Sequence, residues 1–114
     1  MVTIKRGDVV LCDLNPVVRT EQAGIRPVVV LQTDRANAAS SHTIIAPLTS
    51  KIRSALLPSH VVIPAGAGGL QQESVLLCEQ IRVIDKQRLL KTWGHLDADY
   101  MMKIAEALRA ILEL

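Results

Sequence analysis

The chain has 114 residues, within the usual size of one domain, and no stretch of it reads as a linker, so residues 1–114 are taken as a single domain. Hydrophobic residues make up 49% and charged residues 21%, a globular balance rather than a disordered one. A net charge of +2 is too small to argue for nucleic acid by itself, and one Trp, one Tyr and no Phe disfavour a mechanism built on platforms of stacked bases.

In chain order, the first three-quarters is a series of short β-branched runs. Strands are predicted at Asp8–Asp13, Pro27–Gln32, His42–Pro47, His60–Ile63, Glu73–Leu77 and Gln80–Ile84. The breaks between them carry Asn15-Pro16, Gly24, Pro58 and the cluster from Gly66 to Gly69. Pro27 to Leu31 is apolar throughout, as expected of a strand covered on both faces. Leu70 to Ser74 is polar enough for a turn or the approach to a strand, and Lys86 to Leu90 suits a short helical turn. From Asp97 the period changes. Met101, Ile104, Ala105, Leu108, Ile111 and Leu112 recur at three- and four-residue steps, which predicts a helix with Asp97 as its N-cap and Asp99 in its first turn. Strands followed by one helix describe a mainly β fold, a small curled antiparallel sheet or barrel with a C-terminal helix packed on it.

Cys12 and Cys78 each sit in an apolar β-like run and share no metal or redox spacing, so both are read as buried, inert thiols. His42, His60 and His95 show no ligand spacing either, and no metal or other cofactor is expected. No apolar run approaches the ~20 residues of a membrane span. Met1 to Asp8 lacks the apolar stretch of a signal peptide, and the reading is cytoplasmic, with no membrane partner.

Four stretches can carry chemistry. Asn15 to Pro27 is a long connection, polar in its second half, where a hairpin needs only a few residues; it reads either as a functional loop or as a solvated one. Arg26 precedes Pro27 and is biased towards extended backbone, so it can present a fork of donors to a phosphate or pair with Glu21 or Asp34. Thr49 and Ser50, beside Lys51 at a strand exit, suit an anion site or a turn cap. Glu79-Gln80-Ile81-Arg82 interrupts two apolar runs, as a bulge or as polar groups facing a groove: Gln80 for a base edge, Arg82 for a phosphate, with salt bridging as the competing explanation.

In this order and spacing the pieces resemble the MazF/PemK family of toxin endoribonucleases. The resemblance runs from Lys5-Arg6-Gly7-Asp8-Val9-Val10 through Asp13-Leu14-Asn15-Pro16 and Thr20-Glu21-Gln22-Ala23-Gly24-Ile25-Arg26-Pro27. It continues through Pro47-Leu48-Thr49-Ser50, Leu57-Pro58-Ser59-His60 and Glu79-Gln80-Ile81-Arg82. It implies a compact SH3-like barrel of the CcdB/PemK kind, a homodimer, and metal-free cleavage of single-stranded RNA at specific sites. The 2′-hydroxyl would attack the adjacent phosphate, leaving a 2′,3′-cyclic phosphate and a 5′-hydroxyl. It further implies Arg26 and Thr49 as the catalytic pair with Glu21 near them. Arg19, Thr20, Gln22, Ser50, Lys51, Arg53, Gln80 and Arg82 would then contact RNA, and a separate MazE-like antitoxin would compete for the same cationic groove. The chain departs from the pattern at Arg19-Thr20, where Gly-Ser is common, and at Ala23, where glycine is common. The alternatives are a barrel that binds nucleic acid or a protein target such as gyrase without cutting, and an interaction subunit that uses its C-terminal helix.

Overall fold

Val28, Val29 and Val30 are all fully buried, and consecutive side chains of a strand leave opposite faces, so the strand that holds them is covered on both sides. In the computed structural model, which describes residues 3–19, 21–51 and 56–114, this is β2 (Ile25–Val30). It runs antiparallel between β1 (Asp8–Asp13) and β3 (His42–Thr49). The eight residues of β3 serve three neighbours. One edge pairs with β2, Val28 opposite Pro47 and Val30 opposite Ile45. The other pairs first with β6 (Arg82–Asp85) through His42 to Ile45, then with β5 (Ser74–Leu77) through Leu48 and Thr49. Adding β4 (His60–Ile63) beyond β5 and β7 (Leu89–His95) beyond β1 gives the order β4-β5-β3-β2-β1-β7, with β6 beside β3.

The two faces of this seven-stranded antiparallel sheet carry separate cores. On one, Val9, Val29, Ala46, Leu48, Ile63 and Leu76 meet the C-terminal helix α2 (Ala98–Leu112) through Ile104 and Ala107. On the other, Val10, Val28, Val30, Ile45 and Ile84 close over Ile4 and Leu14. Asp97 caps α2 as expected, its Oδ1 accepting from the Asp99 and Tyr100 amides at 3.1 and 3.2 Å. Among the described residues no helix is long and apolar enough to cross a membrane.

β1 and β4 match the expected strands residue for residue, and the Lys86–Arg88 turn falls where a helical turn was read. Gln80–Ile84 is not one strand. Cys78–Gln80 is a 3₁₀ turn and the strand begins at Arg82, because after Leu77 the chain must leave β5 and rejoin the far end of β3 as β6. Two elements carry little sequence signal. β7 buries only Leu89 among its seven residues, so no apolar alternation marks it. The short helix α1 (Asp34–Ala39) buries only Asn37 and is docked by polar side chains. Asn37 Oδ1 accepts from Gln32 Nε2 and Thr43 Oγ1, and Lys86 Nζ donates to the Asn37 carbonyl. The apolar stripe of α2 also stops early: Ile111 and Leu112 are exposed.

Cys12 and Cys78 are both fully buried, one in each core. Burial pushes the Cys12 thiol up to about 11, against the pull of Arg88 and Arg82, and the Cys78 thiol up to about 12. An unfolded thiol ionises near 9.0, so above that pH the unfolded chain has lost protons that the native chain still holds. Urea denaturation should therefore show stability falling as pH rises from about 9 towards 11, with no thiol contribution to pH dependence below that window. Replacing both cysteines with alanine should remove this part of the slope.

Candidate active site

The connection between β1 and β2 is built around hydrogen bonds from distant side chains. Arg88 Nη1 donates to the Asp13 carbonyl at 3.2 Å and also to the Asn15 carbonyl, and Arg82 Nη1 reaches the Leu14 carbonyl at 3.5 Å. Gln80 Oε1 accepts from the Gln22 amide at 2.8 Å. Within the loop, the Val18 amide donates to Glu21 Oε1 at 2.5 Å while the Glu21 amide returns a bond to the Val18 carbonyl. At the loop's base Asn15 Oδ1 accepts from the Gly24 amide. Gly24 takes φ +85° with open space around it, a conformation that glycine adopts freely. Arg19 holds φ +46°, a left-handed backbone at a residue other than glycine.

Arg26 lies at the start of β2, half-buried, with Nε–H donating to the Ala23 carbonyl at 2.8 Å. That bond orients the guanidinium plane. Neither terminal nitrogen has a hydrogen-bond partner among the described residues, and Arg26 is in no ion pair with them. Neither alternative pairing forms: no ion pair joins Arg26 to Glu21 or Asp34, whose carboxylates accept from the Val18 and Arg6 amides. A guanidinium so held is a ready anion donor.

Thr49 ends β3. The β2–β3 ladder ends at Val28 opposite Pro47; Arg26 and Thr49 each lie two residues past that pair, Arg26 still paired with Cys12 of β1 and Thr49 with Val75 of β5 on the other edge of β3. Thr49 is buried and Oγ1 accepts from the Lys51 amide at 3.2 Å, so the hydroxyl caps the turn and its own proton is still available for donation. Ser50 lines a cavity of about 310 Å³ together with Arg26, Leu48 and Trp93. A second cavity, of about 410 Å³, is lined by Glu21, Gln22, Glu79, Gln80 and Arg82 and also touches Pro47. The expected residues thus fall into two groups on either side of the Pro47-Leu48 step. Arg26 and Ser50 share one group; Glu21, Gln22, Gln80 and Arg82 share the other. Arg19 and Lys51 are exposed and line neither. Thr20 and Arg53 lie outside the described residues.

Sequence reasoning did not single out three contributors. Arg88 clamps the loop base, and only the fold brings it there. His60 and Glu79 form the second: Nδ1 of His60 accepts from the Leu57 amide at 3.2 Å, which puts the ring proton on Nε2, and Nε2 donates to Glu79 Oε2 at 2.8 Å. Ser59 Oγ donates to the other Glu79 oxygen, so the turn that presents Gln80 is pinned from β4. Trp93, in the unforeseen strand β7, is the third.

A small antiparallel sheet with an early end to its β2–β3 ladder, an oriented arginine and polar cavities on both sides of that end is a fold suited to gripping an anionic chain. Residues 5–112 match the family described as PemK-like, MazF-like toxin of type II toxin–antitoxin system, and the chain belongs to that family. It is 50% identical over 111 residues to Endoribonuclease EndoA of Bacillus subtilis (strain 168), covering 97% of this chain and 96% of that one. Among solved structures it is similar to MazF from Deinococcus radiodurans, with 25% identity, TM-score 0.85 and full coverage of both chains. It is also similar to the Mycobacterium tuberculosis toxin MazF-mt6, with 25% identity, TM-score 0.79 and coverage of 94% and 97%.

The Gln80–Gln22 bond makes a direct prediction. Removing one partner of a hydrogen bond of ordinary net strength shifts a local opening equilibrium by about 1 kcal/mol, roughly fivefold. In Gln80→Ala, hydrogen exchange at the Gln22 amide should accelerate by at least that factor, while amides in the middle of β2 and β3 keep their protection.

Proposed function

We propose that this protein is an RNA-cleaving toxin that cuts single-stranded RNA at specific sequences, messenger RNA among its targets, with Arg26 and Thr49 at the scissile phosphate. Membership of the toxin family and the 50% identity to an endoribonuclease support the activity. The observation that carries the assignment of the centre is Arg26 itself: oriented through Nε, unpaired among the described residues, and, like Thr49, two residues past the last β2–β3 pair. In the reaction we infer, the substrate's 2′-hydroxyl gives its proton to water as it attacks the adjacent phosphorus, and the bond to the 5′-oxygen breaks as that oxygen takes a proton from water. The products are a 2′,3′-cyclic phosphate and a 5′-hydroxyl. Arg26 donates to the non-bridging oxygens as negative charge grows there, and the Thr49 hydroxyl adds a second donor. A guanidinium stays protonated in proteins, so Arg26 serves as an electrostatic donor and not as the base. The chemistry asks chiefly for in-line positioning and charge stabilisation, which these side chains supply without a metal or other cofactor.

The remaining residues follow by location. Glu21 shapes the loop and, with Gln22, Gln80 and Arg82, faces the substrate segment in the larger cavity. Arg19, Ser50 and Lys51 extend the polar and cationic surface along the strand, and Thr20 and Arg53 are assigned to it by the family pattern. A cognate antitoxin with a disordered acidic segment would neutralise the same cations and exclude RNA. Ile111, Leu112 and Leu114 leave apolar side chains exposed at the C-terminal end of α2 and just beyond it, which supports a homodimer. We place the protein in the cytoplasm, where RNA and antitoxin are found, and read residues 1–114 as one toxin domain.

Arg26→Ala should lower the cleavage rate by roughly 10²–10³ while leaving circular dichroism and the melting profile unchanged, since the side chain is half-exposed and outside the cores. Arg26→Lys should recover only part of the loss, because lysine keeps the charge without the fork. Thr49→Ser should retain most of the activity that Thr49→Ala loses. Equal rates for the two Thr49 variants would reduce Thr49 to a turn cap.

A further inference from the structure

We propose that the cavity beside Arg26 is a nucleobase subsite, in which one base next to the scissile phosphate packs against the Trp93 indole and presents its edge to Gln71 and Gln72. The proposal rests on the endoribonuclease reading and adds to it a place where substrate sequence is read.

Two wall segments of the cavity, Trp93 and the stretch that starts at Leu70, adjoin an unusually close approach of two backbones. The turn Ala67–Gly69 lies directly on β7. A Cβ on Gly69, at φ +77°, would stand 2.3 Å from the Trp93 carbonyl oxygen, and one on Gly94 would stand 2.6 Å from the Gly68 carbonyl carbon. Only glycine at these positions lets the turn sit flush on the strand. The chain then enters the core at Leu70, 4% exposed, and returns to the surface at Gln71 and Gln72 beside Trp93. Ser74 Oγ donates to the Gln72 carbonyl at 3.0 Å and steadies that return. The polar Gln-Gln stretch after the glycine cluster, which otherwise reads as loop, therefore forms one wall of a site together with Leu70.

The chemistry of the walls selects a planar, amphipathic ligand. Leu11, Pro27, Leu48 and Leu70 give an apolar floor, and the half-buried indole gives a flat π face. Each glutamine amide offers both donors and an acceptor at the rim, the combination that reads a base edge. About 310 Å³ is at the small end for a ligand site and suits a single base. Arg26 is part of the same wall, so a base held here is tied to a phosphate at the guanidinium. A run of carboxylates would find one cation and an apolar floor, which favours the base over an acidic peptide. One Trp and no Phe exclude stacking along several bases; they leave room for one.

The single tryptophan makes the test direct. Cut sites are first mapped on a long single-stranded RNA with the wild-type protein. An oligonucleotide spanning a mapped site, carrying a 2′-deoxy sugar at the cut so that it binds without reacting, is then titrated while Trp93 emission is recorded. Emission should be quenched in step with binding followed by anisotropy. Trp93→Ala should lower kcat/KM by about tenfold or more, with Trp93→Phe retaining most of it. Gln71→Ala and Gln72→Ala, both at exposed positions, should relax base preference at one position adjoining the cut and leave the others unchanged. RNA that binds with unaltered Trp93 emission, together with unchanged cut-site preference in both glutamine variants, would overturn the subsite while leaving the nuclease reading intact. Emission that responds only to an acidic peptide, or only to dilution of the protein, would give the cavity to an antitoxin or to a second copy instead. Failure of the wild-type protein to bind or cut RNA would defeat the nuclease reading and the subsite with it.

Discussion

The loop between β1 and β2 has a defined shape because its backbone is hydrogen-bonded by side chains 58 to 75 residues further along the chain. Arg88 and Arg82 take its carbonyls, and Gln80 takes the Gln22 amide. Without them the carbonyls of Asp13 to Asn15 would face only solvent, and a connection of this length would have many conformations to lose before it could hold a substrate. These contacts also explain why Glu79-Gln80-Ile81-Arg82 forms a turn followed by a strand. The 3₁₀ turn aims Gln80 at the loop, and β6 then carries Arg82 and leads to Arg88 at the loop's base. Arg26 stands at the end of the braced loop, its Nε bond to Ala23 coupling the guanidinium to the loop's conformation.

Geometry at β3 does the rest. The ladder between β2 and β3 ends at Val28 and Pro47, while β3 runs on to Thr49 against β5 on its other edge. Polar space opens there on either side of the Pro47-Leu48 step within an otherwise apolar sheet.

What could be read from the sequence alone follows from local physics. The valines of β2 and the alternating runs of β1 and β4 are recognisable because one or both faces are dry. Asp97 announces a helix because a carboxylate before an amphipathic run is an effective cap. Arg26 is conspicuous because a proline fixes the backbone around it. The parts that escape notice depend on partners remote in sequence. β7 is a strand by virtue of β1, with two register irregularities and one buried residue, so neither propensity nor period marks it. α1 is a helix because a buried amide network docks it. Arg88 in a Lys-Gln-Arg run looks like any solvated cation until the fold places it under Asn15. For Trp93 the composition pointed away from stacking in general, and only the cavity shows that a single indole is well placed for it.

The central claim is that the oriented arginine at the start of β2 assists attack by a 2′-hydroxyl, and the chemical ends of the product test it most directly. A single-stranded RNA digested by the purified protein in the presence of EDTA, and analysed by mass spectrometry, should yield fragments ending in 2′,3′-cyclic phosphate with 5′-hydroxyl partners. Fragments bearing 5′-phosphate and 3′-hydroxyl, or cleavage that appears only when divalent metal is restored, would contradict it.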